Sequence, residues 1–169
     1  MSSKEDFFRK VQENKDTQHE SFKKTRSDIM SFQADLHALI KQIEMWIDGS
    51  GLQVITTENT FNDNTVSILP WGKDLQKYKA TSCKLKNQNR TAVIVPVGVY
   101  GDHYKASISI TIDNPNRAPR EEKFILTLED RNTWSIRRES LMRYSPSHKD
   151  EPSQLLDENI FFMAISGLA

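Results

Sequence analysis

The chain carries a single cysteine, Cys83, in 169 residues, so no disulfide can form within it. Such scarcity suits a reducing compartment, and the cytoplasm is the expected location. The N-terminal stretch MSSKEDFFRK lacks the apolar core of a secretory signal. No apolar run approaches the ~20 residues that span a bilayer, so no membrane association is expected. Net charge is also missing, with 23 Lys+Arg against 23 Asp+Glu. A dedicated duplex-DNA binder usually shows a basic excess, so the balance argues against one.

The motifs of common catalytic sites are absent too. There is no GxxxxGK[ST] loop to cradle phosphate, no GxGxxG, no HExxH and no GxSxG. His19, His37, His103 and His148 lie far apart, and none has ligand spacing to a cysteine or a second histidine. No metal or cofactor is expected. Asp102 and His103 are neighbours in a turn, but a dyad is made by geometry and not by adjacency. Cys83 alternates with Thr81 and Leu85, which places it on an apolar strand face as a structural residue. The pairs Glu121-Glu122 and Glu129-Asp130 sit at strand ends as solvated acids.

What is present begins with the first 48 residues, which contain no glycine and no proline and stop at Gly49-Ser50-Gly51. Phe8, Phe22, Ile29, Leu36 and Ile43 form one heptad row, and Val11, Phe32, Leu39 and Trp46 another. This is the seam of a long amphipathic helix. Lys15, Gln18 and Thr25 interrupt the seam, and Thr17-Gln18-His19-Glu20 has the form of a capping box. The segment therefore reads as one helix or as two, the second from about Ser27 to Ile47. Its apolar face widens with Met30, Ile40, Met45 and Ile47, which favours a helix lying on its own sheet over a free coiled coil. The Phe7, Phe8, Val11 end remains free to pair with another chain.

Beyond residue 51 the pattern changes to strands. Leu52–Thr57, Thr65–Leu69, Tyr78–Leu85, Arg90–Tyr100, Tyr104–Asp113, Phe124–Leu128 and Trp134–Arg138 are β-rich or alternate with period two. Pro96 and Gly98 mark a bulge or an edge. Short turns join consecutive strands, so an antiparallel meander is the economical topology. A C-terminal helix is expected over Gln154–Ile165, apolar around more than half its circumference. The fold class is α+β: a helical segment over 1–48, then a sheet domain over 51–169 with six or seven strands and a closing helix.

Two clusters suggest contact surfaces. Lys73, Lys77, Lys79, Lys84, Lys86 and Arg90 fall within eighteen residues, with Asp74 the sole acid and Trp71 and Tyr78 interleaved. Such a set can track a phosphate backbone, although lysines also keep edge strands from aggregating. Arg131, Arg137, Arg138 and Arg143 surround Trp134, a pairing common at protein interfaces. The expected function is that of a non-enzymatic protein-interaction module: an adaptor, an inhibitor or immunity-type protein, or a subunit of an assembly. Partner contact is assigned to Trp134, Arg137 and Arg138, and self-association to Phe8, Val11 and Phe22 on the helix. The alternative is a nucleic-acid-binding protein using Lys77, Lys79, Lys84, Lys86 and Arg90.

Overall fold

The computed structural model describes residues 2–101, 105–139 and 152–169. Asp102, His103, Arg143, His148 and Tyr104, the expected start of the strand Tyr104–Asp113, lie outside the described residues. One helix, α1 (Ser3–Ile47), runs unbroken for 45 residues, roughly 67 Å at 1.5 Å per residue. The two-helix alternative is thereby corrected. Three polar residues on a seam weaken packing, but without glycine or proline they do not interrupt backbone hydrogen bonding. The start is a capping box at Ser2: Glu5 N–H donates to Ser2 Oγ at 3.2 Å and Ser2 N–H to Glu5 Oε2 at 3.0 Å. Gly49 and Gly51, at φ +83° and +86°, end it in the left-handed region that favours glycine.

Seven strands follow in one antiparallel sheet whose spatial order is their chain order. They are β1 (Gln53–Asn62), β2 (Lys77–Asn87), β3 (Arg90–Gly98), β4 (Ser107–Asp113), β5 (Glu121–Asp130), β6 (Thr133–Glu139) and β7 (Gln154–Leu155). The ladder shifts between Pro96 and Gly98, where the two poor ladder residues sit. Two expected elements are different. Thr65–Leu69 is no strand; Asn64–Ser67 forms a helical turn, α2, because Asp63 caps it through Thr65 N–H at 2.9 Å. The C-terminal helix is also shorter than expected. Gln154 and Leu155 pair with β6, Asp157 caps the chain, and α3 covers only Glu158–Ala164 before a 3₁₀ turn over Ile165–Leu168.

The register sets the layers. Cys83, Ile94, Ile110 and Phe124 lie in one cross-strand row, and Ile108, Leu126 and Ile136 in the next. Ile29, Phe32, Leu36, Leu39, Ile40, Ile43 and Ile47 of α1 are buried in the same core cluster. α3 joins this layer through Phe161, whose ring lies 5.4 Å from that of Trp46. The terminus is pinned where Asn87 and Asn114 donate to the carbonyls of Leu168 and Gly167. Within the described residues no helix is long and apolar enough to cross a membrane.

Candidate protein-interaction site

The helix outruns the sheet. Its buried residues begin at Thr25, and residues 7–20 are exposed throughout. Residues 3–20 thus form an arm about 27 Å long. Local pairs hold it: Arg9 with Asp6 at 3.4 Å and Glu13 at 3.9 Å, Gln12 with Asp16 at 3.0 Å, and Thr17 Oγ1 to the Glu13 carbonyl at 2.9 Å. Each contributes only about 0.2–0.5 kcal/mol. Nothing in such pairs explains large apolar side chains at the tip, yet Phe7 is 64% exposed, Phe8 60% and Val11 37%. Phe7 and Val11 stand 18 residues, five turns, before Thr25 and Ile29 and share their face, whereas Phe8 lies about 100° around the helix from Phe7.

A set of polar contacts fixes the base of the arm. Trp71 Nε1–H donates to Thr25 Oγ1 at 2.9 Å, so the interruption at Thr25 is an anchor. The Tyr100 hydroxyl donates to Asp28 Oδ2 at 2.5 Å and lies 3.3 Å from Thr25 Oγ1. Burial, reinforced by that acceptor, pushes the Tyr100 phenol up to about 12. Beneath lies Asp63, fully buried. It accepts from Thr65 N–H and Oγ1–H, from the Tyr78 hydroxyl at 2.5 Å and from Val99 N–H at 2.9 Å. Burial first, then the bond to Asp63, raises the Tyr78 phenol well above its ordinary range. Gly72 lets the turn after α2 close, since a Cβ there would stand 1.8 Å from the Val66 carbonyl oxygen. Trp71 is positioned by that turn.

Between arm base and turn lies a mainly apolar groove of about 650 Å³, walled by Ser21, Thr25, Ile68, Leu69, Trp71 and Tyr100. Ile68, in its wall, is 81% exposed. Sequence patterning does not flag this groove, because Thr25 and Trp71 are 46 residues apart. Its one trace in the sequence is a hydroxyl on an otherwise apolar seam.

The residues singled out from sequence are scattered. Phe8 and Val11 are on the arm tip and Phe22 is half-buried at its base. Trp134 is only 3% exposed and belongs to the core, opposite Leu128. It shares parity with Ile136, so alternation sends both inward. Arg138 lies over the Phe124 ring and pairs with Glu122 at 3.2 Å, while Arg137 has the opposite parity. Trp134 is therefore no surface residue, while Arg137 and Arg138 both line one cavity of about 250 Å³ with Ile160 and Met163. Lys77, Lys79, Lys84 and Lys86 are exposed, but the β1–β2 ladder has no bulge and the first two point away from the last two. Arg90 is half-buried and its guanidinium donates to the terminal Ala169 oxygen.

Cys83 is buried, and burial pushes its thiol up. Among the described residues no three His, Cys, Asp or Glu side chains gather as a metal site. No protein-family model matches this chain, and no curated protein or solved structure matches it.

Proposed function

We propose that this chain is a non-enzymatic protein-interaction module: an adaptor, an inhibitor of the immunity-protein type or a subunit of a larger assembly. One observation carries the reading. A helix rooted in the core projects an arm whose tip exposes Phe7, Phe8 and Val11. Exposed apolar groups gathered on one stripe mark contact surfaces, and a rigid helix presents them at little entropic cost. Phe22 extends the same surface toward the body. Arg137 and Arg138 remain secondary candidates at the far edge of the sheet, on opposite faces. The one buried free thiol suits a reducing compartment, and we place the protein in the cytoplasm.

Affinity capture from source lysate, with and without nuclease, tests this. A discrete protein, or the chain itself, is expected to be retained after nuclease. Retention should fall at least tenfold on replacing Phe7, Phe8 and Val11 by Ser, corresponding to about 1.4 kcal/mol or more. The set Lys77, Lys79, Lys84, Lys86 and Arg90 defines the competing reading, nucleic-acid binding. Nuclease-sensitive capture that the arm substitutions leave intact, and that weakens steeply with salt, would replace the present proposal with that one.

A further inference from the structure

We infer that the chain binds an alkylammonium group, carried by a free aliphatic amine or by a lysine side chain, in a cavity beside the middle of α1, with Asp35 as its counter-ion. The site does not involve the arm tip and stands whatever the arm binds.

Asp35 and Asp63 are the buried acids among the described residues. Their surroundings differ. Asp63 accepts from Thr65, Tyr78 and Val99. Asp35, 4% exposed, makes no hydrogen bond and no ion pair with any described residue. Burying an ionised carboxylate without a partner is costly, so such a group calls for one. Arg117 Nη2 is the one side-chain polar atom among the described residues that is both sealed from solvent and unpartnered. The Asp35 oxygens are unpartnered and therefore not sealed. They open into a cavity of about 450 Å³ whose wall Asp35 helps to form. Small-molecule sites typically span about 300–1,000 Å³.

The cavity leaves this carboxylate to a ligand. Lys24 lines it but pairs with Asp28 at 3.4 Å, and Lys105 lines it but pairs with Glu129. Arg131 also lines it, stays exposed and pairs with no described acid. Asp28, one heptad before Asp35, is engaged as well, since it accepts from the Tyr100 hydroxyl at 2.5 Å. Phe32, Val99, Ala106 and Leu128 make the remaining wall apolar, and the first three are buried. A charge beside such a wall attracts an opposite charge more strongly than it does in water.

The donor set selects the cation. Among the described residues no three His, Cys, Asp or Glu side chains gather as a metal site, whereas calcium and magnesium take about six oxygen ligands or more. An ammonium group needs far fewer acceptors. Asp35 supplies the charged one. Ser31, one turn earlier on the same helix face, adds a hydroxyl that bonds to no described residue. The apolar wall then takes the alkyl stem, which an inorganic cation lacks.

The experiment titrates the full chain and its Asp35→Asn variant with hexylamine, with hexanol as the uncharged match, and with Nα-acetyl-lysine amide, reading backbone amide shifts by NMR. Hexylamine is expected to move the amides of Ser31, Asp35 and Ala106. It should bind the parent chain about tenfold or more tightly than hexanol does, and about tenfold or more tightly than it binds the Asn variant. Equal response to the lysine amide supports a lysine side chain as the natural source, and response to hexylamine alone supports a free amine. Because Asp35 has no partner in the chain, Asp35→Asn should melt no lower than the parent without ligand. Equal binding of amine and alcohol, equal binding by the two chains, or no binding at any soluble concentration would overturn the site. A clearly lower melting temperature for Asp35→Asn would overturn it too, because the carboxylate would then have its partner within the fold.

Discussion

Replacing Asp63 by Ala is expected to cost about 3–5 kcal/mol of stability, the penalty typical of breaking a fully buried polar network. Four donors converge on this carboxylate, from Thr65 twice, Tyr78 and Val99. Removing the acceptor strands a buried donor, Val99 N–H, and three part-buried ones, and each buried orphan costs about 1–3 kcal/mol. For a chain of this length the melting temperature should fall by roughly 6–20 °C. Tyr78→Phe removes one donor and leaves the acceptor satisfied by three, so it should cost only about 1 kcal/mol. Thermal unfolding of both variants checks the order. Equal, small losses would mean that Asp63 does not organise this corner. The consequence reaches the groove: Asp63 caps α2, which leads into Trp71, and holds Val99 beside Tyr100. Trp71 and Tyr100 in turn bond Thr25 and Asp28 of the arm base.

Leu36→Ala should destabilise the fold by about 2–5 kcal/mol, while Phe8→Ala at concentrations where the chain is monomeric should stay within about 0.5 kcal/mol. Leu36 is completely buried between α1 and the sheet, so truncation leaves a cavity in the helix–sheet core. Phe8 lies four heptads earlier on the same helix and touches water instead. Denaturant unfolding of the two variants measures the difference directly. Comparable losses would mean that the arm packs on the body of its own chain.

Much of this architecture is legible in the residues. The absence of glycine and proline before Gly49 defines α1, and period-two alternation locates the strands and their inward faces. What escapes is set by partners distant in sequence. Thr65–Leu69 has strand-like composition, and only the capping by Asp63, itself tied to Tyr78 and Val99, turns it into a helix. Gln154 and Leu155 suit a helix locally, but the open edge of β6 at Ser135 and Ile136 claims them. Residue type alone suggests Trp134 as an interface anchor, whereas its alternation with Ile136 already directs it inward. Lys15, Gln18 and Thr25 resemble a break in the helix. They mark instead where α1 leaves its own core, and Thr25 marks the anchor. The groove depends on Ile68 and Trp71 meeting α1, which no local pattern encodes.

At the centre stands α1 as one helix with two environments, its second half fixed in the core and its first half exposed to solvent. Hydrogen exchange of the intact chain, followed peptide by peptide in dilute solution, tests this most directly. Amides over 29–47 should be strongly protected at every concentration, because they open only with the core. Amides over 3–20 should exchange at least tenfold faster than these in dilute solution, as a short isolated helix does. Protection over 3–20 in dilute solution equal to that over 29–47 would contradict the account, because the arm would then be packed on the body of its own chain.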